Sequence, residues 1–202
     1  MIYQLQDNQK LILASGSPRR KEFLTQLGIA MEVCPSNIDE TPKAHELVED
    51  LVQRLALEKA SQIANQFPDT WVLAADTLVA LDGEIFGKPG EDQDAFNILS
   101  KLSAQEHQVF GGVALVNLEQ KIQVVKLSET RVSFIALEDF QIKAYIKSKE
   151  HLDKAGAYGI QGTAAHFVKD LKGSYTNVVG LDLSLVIDLL LKCNIIKARE
   201  FK

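Results

Sequence analysis

Apolar residues follow two rhythms along this chain. Short uninterrupted runs at residues 11–14 (Leu-Ile-Leu-Ala) and 71–75 (Trp-Val-Leu-Ala-Ala) predict strands covered on both faces. Between them the spacing changes to three and four. Val48, Leu51, Val52, Leu55, Ala60 and Ile63 line one face of a helix, expected to start with Thr41 as N-cap and Pro42 as first helical residue and to end near Phe67. A shorter helix is expected from Pro18, capped by Ser17, with Phe23, Leu24 and Leu27 inside and Gly28 closing it in the left-handed conformation. Residues 30–34 read as a short extended piece. Residues 78–81 continue apolar after the second run, and Asp82-Gly83 signals a hairpin returning through Glu84-Ile85-Phe86. Farther on, the pattern predicts a helix over 91–102, strands over 107–116, 121–127 and 130–135, a helix over 138–147, and a strand over 165–171. A turn at Lys172-Gly173, a loop at 177–180 and a last helix over 183–191 complete the chain, with a polar tail from Lys197.

Several residues sit where this pattern gives them no reason to be. Arg19 and Arg20 occupy the first turn of the helix at Pro18, the positive end of its dipole, where acids are favoured. With the small loop Ser15-Gly16-Ser17 before them, they read as a cradle for an anion such as phosphate, or else as solvated surface cations. The loop is not a Walker A sequence, since no Gly-Lys-Ser/Thr follows. Lys59 falls inside the apolar stripe of the long helix, four residues from both Leu55 and Ile63. Either its stem snorkels along apolar surface or its charge points into an anionic cleft. Asp76 lies between two apolar runs, and an unpaired buried carboxylate is too costly to keep, so it must be paired, metal-bound or at a cleft. Gly156, Gly159 and Gly162 fall within seven residues that also hold Gln161, which suggests a loop where backbone approaches a ligand, or a plain turn.

Composition narrows the partners. A chain of 202 residues suits one domain, and a net charge of −5 with a pI near 5.4 argues against sequence-independent binding of a nucleic acid polymer. Any phosphate recognition must come from a few converging cations. Two cysteines, Cys34 and Cys193, do not make a disulfide framework, and with no signal-peptide pattern at residues 1–10 and no run long enough to span a membrane, a reducing cytoplasm is the expected setting. The four histidines show no zinc spacing, so a metal here would be hard and held by oxygen.

Taken together, Leu11-Ile-Leu-Ala-Ser-Gly-Ser-Pro-Arg-Arg20, Ile38-Asp39-Glu40, Leu57-Glu58-Lys59-Ala60, Ala75-Asp76-Thr77, Gly87-Lys88-Pro89, the stretch from Asp153 to Gly162 and Val179-Gly180-Leu181 resemble the Maf family of nucleoside triphosphate pyrophosphatases. The resemblance implies an α/β fold of the inosine triphosphatase (Maf/Ham1) type: an elongated, twisted mixed sheet flanked by helices, with residues 1–202 forming one domain whose two lobes surround a deep cleft. It implies hydrolysis between the α- and β-phosphates, yielding a nucleoside monophosphate and pyrophosphate, with a divalent cation, Mg²⁺ or Mn²⁺. By the family pattern Asp76 is the proton acceptor, Ser15, Arg20, Lys59 and Lys88 surround the phosphates, and Glu40 and Asp76 hold the metal. Arg19, Thr77 and Gln161 match the branch acting on dTTP and UTP, where modified pyrimidine nucleotides are alternative targets. Family members are often dimers, so a homodimer is a further implication. The family's link to inhibition of septum formation also leaves a non-catalytic reading, a nucleotide-binding regulator of cell division. Asp182 departs from the family, which usually has Pro after Gly-Leu, and its residue type suits an N-cap for the last helix.

Overall fold

The computed structural model describes residues 1–200. Its centre is a seven-stranded mixed sheet. Strand β2 (Leu11–Leu13) runs parallel to β4 (Trp71–Leu81) and to the short β3 (Glu32–Val33). On the other side of β4 follow β6 (Glu106–Asn117), β7 (Ile122–Phe134) and β8 (Val168–Lys172), all antiparallel to their neighbours. A hairpin strand, β5 (Glu84–Phe86), returns along β4 on the edge it shares with β2. Outside this sheet, β1 (Tyr3–Leu5) pairs with β9 (Ile196–Ala198), so the stretch from Lys197, expected to be a plain tail, begins inside a terminal strand.

Period-two alternation along β4 sorts its side chains to two faces. Val72 and Ala74 lie under α2 (Val48–Ala64), in a cluster with Ala56, Ala60, Ile63 and Ala114. Small residues on both elements let helix and sheet approach closely. The approach is tight at Gly112 of β6, where a Cβ would stand 2.2 Å from the Val52 carbonyl oxygen. On the opposite face two clusters share the sheet. Leu73 and Ala75 pack with α1 (Pro18–Leu27) and α6 (Leu183–Lys192), whereas Val79 packs with α3 (Asp92–Leu102) and α4 (Asp139–Lys147). Thr77 falls between them. Each fully buried Leu or Ile in these clusters contributes roughly 1.5–3 kcal/mol, so both halves have apolar cores of their own.

Several sequence expectations need correction. The long helix starts at Val48, not at Pro42. Thr41 donates from its amide and its hydroxyl to the Asp39 carboxylate, at 2.9 and 2.6 Å, and His45 takes a positive φ of 59°, which breaks the helical path. Arg54 then clamps this segment onto α2 through a two-pronged pair with Glu46 at 2.6 and 2.8 Å. The stretches at 121–127 and 130–135 are one strand, because Ser128 and Glu129 keep their register against Gly111 and Phe110. Residues 163–167 form a 3₁₀ turn before β8, and the expected loop at 177–180 falls mostly within a short helix, α5 (Tyr175–Val179). Ser17 stands at the N-cap position of α1 without a side-chain cap bond, whereas Gly28 closes it at φ 90° as expected. Asp182 does cap α6, accepting from the Leu185 amide at 3.3 Å and from the Ser128 hydroxyl at 2.6 Å.

One buried histidine has a measurable consequence. His107 on β6 is fully buried, packs edge-on against Phe134 and shares a 2.9 Å hydrogen bond with the Tyr158 hydroxyl. Burial lowers its pKa to about 4. A protonated unfolded chain is therefore favoured once pH falls below the ordinary histidine value, and the stability present above it is lost as pH drops toward the folded-state value. From pH 7 to pH 5 this one group is expected to remove about 2 kcal/mol. Urea unfolding at the two pH values, with His107→Gln as the comparison, checks it: a wild-type slope equal to that of the variant would contradict the assignment.

Candidate functional site

The edge of β4 is covered unevenly. Pairing with β2 reaches Leu73, and pairing with β5 resumes at Val79. Asp76 and Thr77 lie in the uncovered stretch, pointing to opposite faces. On the far side they are opposed by Gly112 and Gly111 of β6. Two adjacent glycines in a strand interior mark close approach from both faces: Gly112 admits α2, and Gly111 leaves room for Asn177, whose Oδ1 would be 2.0 Å from a Cβ there. This glycine pair was a missed signal, legible in the sequence as Gly-Gly inside an apolar run.

On the α2 face, Lys59 answers the question its position raised. Its ammonium donates to Asp76 Oδ1 at 2.6 Å and lies 2.8 Å from Glu40 Oε1. Lys59 and Asp76 are buried, at 8% and 6% exposure, while Glu40 is exposed. Lys59 is therefore no snorkelling side chain. Two carboxylates around one lysine leave a net negative charge at the edge of the sheet. These hard oxygens suit a small divalent cation that takes one or two carboxylates and completes its shell with phosphate and water. No group of three or more His, Cys, Asp or Glu gathers among the described residues, so protein ligands alone would not complete such a shell.

Across the sheet, Arg20 spends its donors on the protein. Its Nε donates to Gly180 O at 2.8 Å, Nη1 to Ala75 O at 2.7 Å and Ser15 Oγ at 3.1 Å, and Nη2 to Thr77 Oγ1 at 3.1 Å. Four of five guanidinium hydrogens are thus engaged, all by uncharged acceptors. Burial holds its pKa below the ordinary range, opposed by Asp76 and Glu40 and reinforced by Arg19. Arg19 makes one bond, to Val179 O at 3.2 Å, so both of its terminal nitrogens remain free among the described residues. Ser15 is buried and also accepts from the Ser17 amide at 3.2 Å. Lys88 is exposed just beyond β5, with no ion-pair partner among the described residues.

The loop carrying Gln161 is tied to the same neighbourhood. Gly156 donates its amide to Gly87 O at 3.2 Å, next to Lys88, and sits at φ 70° with a Cβ position only 2.9 Å from Val79. Only glycine meets both demands. Gln161 itself is exposed and its side chain makes no hydrogen bond among the described residues. The structure thus brings Asp76, Lys59 and Glu40 into one contact group and Ser15, Arg20 and Thr77 into another, on adjacent backbone. Arg19, Lys88 and Gln161 stay outside these contacts. Two surface cavities, of about 530 Å³ beside Met1 and Pro18 and about 250 Å³ beside Leu47 and Phe110, lie apart from both groups.

Comparison with known proteins settles the lineage. The family described as Maf-like protein matches residues 10–193. The chain belongs to the Maf family. Among its Maf relatives, a protein from Desulfotalea psychrophila named dTTP/UTP pyrophosphatase is 46% identical over 189 residues, covering 94% of this chain and 97% of that one. A protein of the same name from Halalkalibacterium halodurans is 49% identical over 177 residues, covering 88% and 92%. Among solved structures, a HAM1 protein from Coxiella burnetii superposes with a TM-score of 0.54 over 91% of this chain and 99% of that one, at 17% identity. This Maf chain therefore has the expected α/β fold with a mixed sheet flanked by helices. No helix among the described residues is long and apolar enough to cross a membrane.

Proposed function

We propose that this chain hydrolyses dTTP and UTP to the nucleoside monophosphate and pyrophosphate, in the cytoplasm, as one domain whose two lobes flank the uncovered edge of β4. A homodimer is part of the proposal. The observation that carries it is the Lys59–Asp76–Glu40 group at that edge, with Arg20 across the sheet bonded only to uncharged acceptors among the described residues, in a chain nearly half identical to proteins named for this reaction.

A nucleoside triphosphate brings about four negative charges at neutral pH, and an acidic protein must gather cations to hold it. Lys88, without an ion-pair partner among the described residues, has donors for the phosphate oxygens. Arg20, its hydrogens nearly all used, acts as a half-buried positive charge that braces Ser15, Thr77 and the loop at Gly180. Glu40 and Asp76 would hold Mg²⁺ or Mn²⁺, which supplies charge neutralisation and polarises the phosphoryl oxygens. Of the two Asp76 oxygens, Lys59 engages Oδ1 alone, and Oδ2 has no partner among the described residues. Oδ2 is left to take the proton of the attacking water as its oxygen bonds to the α-phosphorus and the bond to the bridging oxygen breaks. Pyrophosphate leaves.

Base choice falls to Arg19, Thr77 and Gln161. Uracil and thymine share an N3–H donor beside an O4 acceptor, which a side-chain amide can satisfy together, and cytosine presents the opposite polarity. Gln161→Glu keeps size but sets a second acceptor against O4. A lost hydrogen bond with an unpaired acceptor is expected to lower kcat/KM for UTP by at least about tenfold, with CTP and GTP much less affected. Measuring kcat/KM for UTP, dTTP, CTP and GTP on both proteins tests this. Equal loss for every substrate would take base reading away from Gln161, and a wild type that prefers purines would end the branch assignment.

A further inference from the structure

We infer that Glu150 is a positioning residue for Gln161, fixing the backbone on which base selection depends. The inference rests on the base-reading role proposed for Gln161 and extends it to a residue outside the nucleotide site.

Among the described residues the Gln161 side chain makes no hydrogen bond, so its aim is set by the backbone on either side. That backbone is pinned twice. Before Gln161, the Gly159 amide donates to the Tyr145 hydroxyl at 3.1 Å. Tyr145 belongs to α4 and is buried in its core, where burial pushes its pKa up to about 12, so the post is rigid and stays neutral. After Gln161, the Thr163 amide donates to Glu150 Oε2 at 2.8 Å, a charge-assisted bond roughly twice as strong as a neutral one. Gly162, between these anchors, is shaped for that carboxylate. A Cβ there would lie 2.0 Å from Glu150 Oε2 and 3.0 Å from Cδ. Its φ of −104° is open to any residue, so what a Cβ would disturb here is the carboxylate, which it would push off the Thr163 amide. Glu150, Gly162 and Thr163 therefore form a matched set: the carboxylate occupies the room the glycine leaves and accepts from the next amide. Misplacing a binding group by about 1 Å can cost on the order of 10²-fold, which is what a slack anchor two residues from Gln161 would do.

The test compares wild type with Glu150→Ala, Glu150→Gln, Gly162→Ala and the double variant Glu150→Ala/Gly162→Ala. Amide hydrogen exchange over residues 159–163 and kcat/KM for UTP and CTP are measured on each, with Mg²⁺ present. Glu150→Ala is expected to speed exchange in this loop and lower kcat/KM for UTP about tenfold, with less than about twofold change for CTP. Glu150→Gln, whose amide oxygen still accepts from Thr163, should remain near wild type. Gly162→Ala should mimic Glu150→Ala when alone and add nothing in the double variant, because the side chain it collides with is gone. Unchanged exchange in Glu150→Ala, equal loss for UTP and CTP, or additive losses in the double variant would each overturn the inference. A wild type without preference for UTP over CTP would overturn the proposed function, and with it the inference, on the unmutated protein alone.

Discussion

Asp76→Asn is expected to fold as the wild type does and to lose turnover of UTP by about 10²- to 10⁴-fold, the usual cost of removing a general base. The amide preserves shape and can still accept from Lys59, so the 2.6 Å contact keeps an acceptor. Glu40, 2.8 Å away, remains as the counter-charge of the lysine. What the change removes is a proton acceptor and one of two negative charges at the uncovered edge of β4. Circular dichroism and pyrophosphate release on the same preparation separate folding from chemistry. A folded variant with near wild-type turnover would move the reaction away from Asp76.

Lys59→Met is expected to lose activity and also stability, by about 3–5 kcal/mol. The apolar stripe alone suggests otherwise, since methionine fits among Leu55, Ala56 and Ile63 at least as well as lysine does. The ion pair reverses that expectation. Asp76 is 6% exposed, and without Lys59 it becomes a buried carboxylate with no cation in contact among the described residues. Urea unfolding of Lys59→Met and of Lys59→Met/Asp76→Asn measures the effect, because removing the stranded charge should restore part of the loss. A single variant as stable as wild type would show that Asp76 reaches solvent or another cation when Lys59 is gone.

These two residues also show how far the sequence could be read. A lysine within an apolar helical face and an aspartate inside an apolar strand are each improbable alone, and pairing them satisfies both. What local pattern could not say is that α2 lies low enough on the sheet for the pair to form. That depends on Gly112 opposite Asp76, a contact between residues far apart in the chain. The misplaced start of α2 has a similar origin. Thr41-Pro42 is a sound helix signal, yet Asp39 captures Thr41 and Arg54 captures Glu46, so the segment stays irregular and delivers Glu40 to Lys59. Arg20 was legible as a cation at a helix start, but not as one whose hydrogens are taken by carbonyls of β4 and of the loop after α5. Strands β1 and β9 were invisible because three-residue strands pairing the two ends of a chain carry no periodicity to detect.

The reaction proposed for this chain is cleavage between the α- and β-phosphates of a pyrimidine triphosphate. Incubating the wild-type protein with UTP and Mg²⁺, and quantifying products by anion-exchange chromatography, tests it directly. UMP and pyrophosphate are expected in equal amounts from the earliest time point; release of UDP and inorganic phosphate would move the cleavage to another bond, and no turnover of UTP by the folded protein would end the proposed activity.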